Sequence, residues 1–209
     1  MAANPVGSMG LLCILSTLTV PLSGCDDPSH GTNHRAVEST AGSPLQVLDL
    51  AGASVDPLGS PGARATVFVF TREDCPLSNR YAPEVQRLQA QFGRQGVEFR
   101  LVYPHPEATT ESIRRHIDEY GYHCDVLRDP QHTLVEWANV RVTPEVAVVV
   151  PEGTIVYRGR IDDRWVEFGK ARPNPTRRDL EDVLTAIVAG KPLTARTTSA
   201  VGCYISDLK

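Results

Sequence analysis

The chain has 209 residues, 41% of them hydrophobic and 22% charged, with a formal net charge of -4. That length accommodates one ordinary globular domain plus extensions. With no Lys/Arg run to offset the acidic balance, nucleic acid is excluded as a partner, and no internal repeat is visible.

The N-terminal segment Gly10–Leu22 is an apolar run too short to span a bilayer but suited to the core of a signal peptide. It ends in Leu22-Ser-Gly-Cys25, which resembles a bacterial lipobox, although no Lys or Arg precedes the apolar core. The resemblance implies cleavage before Cys25 and lipidation of its thiol. Residues 1–25 are therefore expected to be a signal peptide with lipobox, and the protein to be an extracytoplasmic lipoprotein, in the periplasm or cell envelope. On that expectation Cys13 is discarded, and Cys75, Cys124 and Cys203 are left for chemistry. Residues 26–44 are rich in Ser, Gly, Thr and His and have few apolar groups to bury, so they are expected to form a flexible linker.

The folded domain is expected over residues 45–190. Leu45–Leu50 alternates well enough for an edge strand, and Gly- and Pro-containing turns follow through Gly62. Ala65–Phe70 is apolar, β-branched and aromatic, a buried strand. After a short turn, Tyr81, Val85, Leu88 and Phe92 recur at helical spacing. A strand over Gly96–Tyr103, a helix over Thr109–Tyr120 ended by Gly121, a short strand at Cys124–Leu127 and a helix through His132–Asn139 come next. Glu145–Val150 and Ile155–Tyr157 pair as a hairpin, a last helix runs from about Thr176 to Ala189, and a Thr-rich tail over residues 191–209 carries Cys203. The order βαβαβαββα after the leading strand predicts an α/β sandwich, a central mixed sheet flanked by helices.

Cys75 sits where the first long strand gives way to its helix, with Pro76 at the first helical position. The positive end of the helix dipole and its free N–H groups favour a thiolate there. The plain alternative is a small buried core residue. Ser78 occupies the place a neighbouring resolving thiol would take. Of the two other thiols, Cys124 falls in an expected interior strand. Cys203 follows Gly202 in a tail long enough to cross the domain's face, so a Cys75–Cys203 disulfide is expected.

From Leu45 to about Ala189 the chain resembles the thioredoxin-like redoxins, extracytoplasmic thiol–disulfide oxidoreductases and their peroxiredoxin relatives. The resemblance rests on the strand–Cys–Pro–helix element, the inserted βα unit, and Val142-Thr-Pro-Glu145 entering the hairpin. It implies a thioredoxin-like sandwich, a cis bond before Pro144, and a substrate chain lying along Thr143-Pro144 beside Pro76 and Ser78. Cys75 is then the catalytic nucleophile forming the mixed disulfide, Cys203 its catalytic partner, and the expected partners are protein thiols or disulfides, with the membrane reached through the lipid anchor. The chain departs from thioredoxin in lacking Cys-x-x-Cys. It departs from peroxiredoxins in having Arg72 and Phe68 where those carry Thr or Ser and Pro. Asp74–Tyr81, Thr143–Val146, Gly159–Asp163 and Gly202–Ile205 together resemble a smaller redoxin group. A non-catalytic metal- or peptide-binding module and a peroxiredoxin-like antioxidant stay open as alternatives.

Other groups carry less. Asp162 and Asp163 are expected to form a charged turn, and Arg158 and Arg160 to border the sheet in solvent. Trp137 and Trp165 are expected to pack. His105, His116, His123 and His132 lack metal-ligand spacing, so no metal site is expected. No phosphate-binding Gly-rich loop, Ser/His/Asp elbow or dinucleotide fingerprint appears, and no cofactor is expected.

Overall fold

The computed structural model describes residues 45–58 and 62–206. The expected signal peptide, the Cys25 lipobox and the linker lie outside the described residues. In chain order the elements are β1 (Val47–Leu48), β2 (Ser54–Val55), β3 (Ala65–Phe70), α1 (Pro76–Phe92), β4 (Val97–Tyr103), α2 (Thr110–Tyr120), β5 (Asp125–Arg128) and α3 (Thr133–Ala138). They continue with β6 (Val142–Thr143), β7 (Glu145–Val149), β8 (Ile155–Gly159), β9 (Trp165–Glu167), β10 (Lys170–Ala171), α4 (Asp179–Val188), β11 (Arg196–Thr197) and β12 (Cys203–Tyr204).

Eight strands form one mixed sheet in the order β11-β8-β7-β3-β4-β5-β1-β2. At its centre β3 runs parallel to β4 and antiparallel to β7. Every residue of β3 is buried, because its alternating side chains feed two cores. Val67 and Val69 pack with Val85, Leu88 and Phe92 of α1, Ile113 of α2, and Leu180 and Leu184 of α4. Phe68 and Phe70 point the other way, into Leu134, Val135 and Ala138 of α3 and Ile205 of the tail. Each of these enclosed rings contributes about 1.5–3 kcal/mol of burial. Helices thus cover both faces, the α/β sandwich expected from the element order.

Three expectations are corrected. The leading segment is not an edge strand: β1 is two residues long and lies between β5 and β2, which forms the edge. Its chain turns back because the Asp49 carboxylate accepts from the Ala51 and Ala53 N–H groups, both at 2.8 Å. The last helix begins at Asp179 rather than Thr176. Asp163 Oδ1 takes the N–H groups of Thr176 and Arg177, at 2.6 and 2.9 Å, and so holds that stretch outside the helix. The Thr-rich tail, for which no strand was expected, carries two. Its β11 joins the sheet parallel to β8, and β12 pairs antiparallel with β6, Cys203 standing opposite Thr143.

Candidate active site

Beyond Phe70 the chain keeps strand-like bonding for one more residue, with the Thr71 N–H donating to Val102 O at 2.9 Å. It then turns through Arg72–Asp74, and Cys75, in extended conformation, caps α1 with Pro76 as the first helical residue. The first turn of α1 holds no acidic side chain, so the helix's positive end faces the sulfur uncompensated. Cys75 is 1% exposed.

Three elements converge on its sulfur. The Cys75 thiol donates to Thr143 O at 3.0 Å, from the loop whose Thr143–Pro144 bond is cis. Cys203 Sγ lies 2.6 Å away, and both thiols are free in this structure. From the helix, Ser78 is buried beneath the sulfur. The hydroxyls of Ser78 and Thr143 are both buried with no hydrogen-bond partner among the described residues. A buried hydroxyl left unpaired is costly, and a thiolate at Cys75 relieves that cost by accepting from it.

The electrostatics follow from this arrangement. Burial pushes the Cys75 thiol up, but the groups a thiolate there would accept from, Cys203, the Ser78 N–H and hydroxyl, and Thr143, outweigh it, and the net direction is down from the ordinary value of 9.0. Cys203 goes the other way, pushed up to about 12 by burial and by its bond to Cys75. Of the two thiols, Cys75 is therefore the one that gives up its proton more readily and Cys203 the one that keeps it. Cys124 is remote from both: its thiol faces Gln89 Oε1 at 3.4 Å, and burial pushes it up to about 12.

Around this region several buried polar contacts join separate parts of the chain. The buried Glu145 carboxylate accepts from the Arg141 N–H at 2.9 Å and from Arg158 at 3.0 Å, which holds the turn carrying Thr143 and Pro144. Arg158 is thus committed to Glu145, and Arg160 to the buried Asp179 at 2.7 Å, which corrects the solvent-facing expectation for both. Asp162 and Asp163 are buried too, not a solvated turn. Asp162 accepts the Tyr81 hydroxyl of α1 at 2.5 Å, while Asp163 takes the Thr176 hydroxyl at 2.5 Å.

The Cys75 loop has its own anchor, and this is what the sequence did not reveal. Ser112 of α2 donates to the Glu73 carboxylate at 2.7 Å, and the Asn79 amide donates to Glu73 O at 2.9 Å. The remaining Asn79 Oδ1 can only accept, so His116 Nε2 donates to it at 2.9 Å and Nδ1 accepts from Tyr103 at 2.8 Å. Burial lowers the His116 pKa, which keeps this neutral tautomer. The one clue in the sequence was Asn79 next to Ser78. Its partner lies 37 positions away and no local spacing marks it.

Of the residues expected at the site, Cys75, Ser78, Thr143 and Cys203 are brought together, Pro144 is buried beside them, and Pro76 is exposed at the start of α1. The backbone of Thr143 is occupied by the chain's own β12. Gly202 permits this approach, since a Cβ built there would overlap Thr143 O. Among the described residues no group of three or more His, Cys, Asp or Glu side chains is placed to hold a metal.

Comparison with known proteins bears on the family and the fold. The profile of the Redoxin family matches residues 36–174. A thiol-disulfide oxidoreductase, ResA, of Halalkalibacterium halodurans is 26% identical over 122 residues, covering 57% of this chain and 67% of the relative. An uncharacterized conserved protein from Geobacillus kaustophilus superposes with a TM-score of 0.64 at 24% identity, over 78% of this chain and 88% of its own. The thioredoxin domain of a thiol-disulfide oxidoreductase from Bacteroides vulgatus superposes at 0.52 with 19% identity, over 69% and 92%. These structures share a thioredoxin-like fold with this chain.

Proposed function

The chain belongs to the Redoxin family, and on that premise we propose that it is a thiol–disulfide oxidoreductase whose redox couple is Cys75 and Cys203. The observation that carries this reading is the 2.6 Å approach of the two sulfurs across 128 positions of sequence. A disulfide needs its sulfurs at about 2.05 Å, so the bond can form with small side-chain movement. Oxidation removes the two thiol protons and two electrons and joins the sulfurs; reduction by a partner dithiol reverses it. In the reduced pair the thiolate favoured at Cys75 is the nucleophile that closes the bridge onto Cys203. Closing so long a loop contributes roughly 4–5 kcal/mol in the chain-entropy model when the bridge is unstrained.

Protein thiols or disulfides are the substrates of this reading. The apolar Gly10–Leu22 run and the Leu22–Cys25 lipobox support an extracytoplasmic protein tethered through lipid on Cys25. Non-reducing peptide mapping of the full chain after mild oxidation tests the couple. A Cys75–Cys203 cross-link that opens on adding a dithiol protein substrate is expected, and a Cys75 that stays free or joins Cys124 overturns it. For the tether, Cys25→Ser is expected to move the protein from the membrane fraction to the soluble one.

A further inference from the structure

In the thioredoxin-like arrangement expected from the sequence, Cys75 itself meets the partner. The structure points elsewhere. Cys75 is 1% exposed, whereas Cys203 is only part-buried and the next residue, Tyr204, is 80% exposed. The strand that carries Cys203 pairs with β6 and brings its sulfur against that of Cys75. It is pinned on both sides of the sulfur: Gly202 sits against Thr143 O, the Ile205 N–H donates to Arg141 O at 3.0 Å, and the Ile205 side chain is buried in the core beside Phe70 and Ala138. Upstream, β11 is paired with β8, and Thr198 Oγ1 accepts from the Arg160 N–H at 3.2 Å.

Resting on the Cys75–Cys203 couple proposed above, we propose that exchange with the partner takes place at the sulfur of Cys203, and that Cys75 is the buried thiol that leaves and returns. Displacement at a disulfide sulfur is in-line, so the incoming thiolate approaches the attacked sulfur from the side opposite the leaving one. Attack on Cys203 Sγ comes from outside, along a path that ends on Cys75. Attack on Cys75 Sγ would have to come from the domain interior.

The step balances as follows. A partner thiolate attacks Cys203 Sγ, the partner-to-Cys203 bond forms, the Cys75–Cys203 bond breaks, and its electron pair leaves on Cys75 as thiolate. A second thiolate of the same partner then attacks the partner sulfur of the mixed disulfide. The partner disulfide forms and Cys203 leaves, taking a proton from solvent. The partner dithiol has lost two electrons and the Cys75–Cys203 disulfide has gained them. The first departure is chemically matched, because a thiol with the lower pKa leaves faster and that thiol is Cys75. Reduction of a partner disulfide runs through the same mixed species in reverse.

Reduced glutathione in limiting amount, added to the oxidised full-length protein and quenched with acid, is a suitable probe. Alkylation and peptide mass spectrometry then locate it. Untreated protein is mapped first: absence of the Cys75–Cys203 link sinks the redox couple itself. Given that link, glutathione is expected on Cys203, in at least tenfold excess over Cys75, with Cys75 alkylated as a free thiol. Glutathione on Cys75, or on neither cysteine, overturns the exchange site while leaving the couple intact. Cys203→Ser keeps the Gly202 and Ile205 contacts, and supplies the second arm with glutathione disulfide as probe. Little adduct is expected on its buried Cys75, at least tenfold slower than on Cys203 of Cys75→Ser. A Cys203→Ser protein that accumulates a stable Cys75 adduct at an equal or faster rate overturns the proposal.

Discussion

Cys75 and Cys124 begin from similar places and end as opposites. Each lies beside the start of a secondary-structure element, and burial pushes the pKa of both thiols upward. At Cys124 little answers that penalty: a single Gln89 oxygen stands at 3.4 Å and the thiol is driven to about 12. At Cys75 the penalty is met by a helix N-terminus, by Ser78 and Thr143, and by a second sulfur, and the direction reverses. Burial by itself silences a cysteine; burial among converging donors sets one to work.

The sharpest way to break the comparison is Cys75→Ser. Thiol–disulfide exchange with a protein substrate is expected to fall to background, with stability of the reduced form changed by no more than about 1 kcal/mol, as chemical denaturation reads it. Retained activity would assign the chemistry to another thiol. Next comes Gly202→Ala, whose added methyl meets Thr143 O. It is expected to cost about 1–3 kcal/mol and to weaken β12 pairing, so that the Cys75–Cys203 bridge forms more slowly in an oxidation time course.

Smaller effects are expected from Ser78→Ala and Thr143→Val, each of which removes a hydroxyl that a Cys75 thiolate would accept from. Each variant is expected to thin the thiolate population at neutral pH roughly tenfold, since a hydrogen bond to a charged group contributes about 1.5–3 kcal/mol. The sign is checked by ultraviolet thiolate absorbance. In the reduced wild type a first rise is expected below pH 9.0, owed to Cys75 and absent in Cys75→Ser. Cys203 and Cys124 add theirs only towards pH 12. Ser78→Ala moves the first step to higher pH. Smallest of all is Cys124→Ala, expected to cost about 1 kcal/mol and to leave exchange unchanged.

Much of the site was legible because its chemistry is local. A buried strand, a Cys-Pro step and an amphipathic helix are written contiguously, and together they put Cys75 at a helix N-terminus. The rest needed partners that sequence spacing does not encode. Asp162 and Asp163 look like a solvated turn until Tyr81 and Thr176 are brought against them. Arg158 and Arg160 look like surface cations until each finds a buried carboxylate. A lone His116 shows no ligand spacing, and its role as the clasp between Asn79 and Tyr103 appears only when α2 packs on α1 and β4.

Local periodicity, turn residues and the Cys-Pro step therefore determined the sandwich, the order of its main elements and the place of Cys75 at the start of a helix, because those depend on neighbours within a few residues. The tertiary structure alone decided how the site is closed. Two-residue strands such as β11 and β12 have too little sequence of their own to be recognised, and exist because β8 and β6 offer free edges to them. That pairing sets the Cys203 sulfur against that of Cys75. Which sulfur is sheltered and which is accessible is a matter of three-dimensional order.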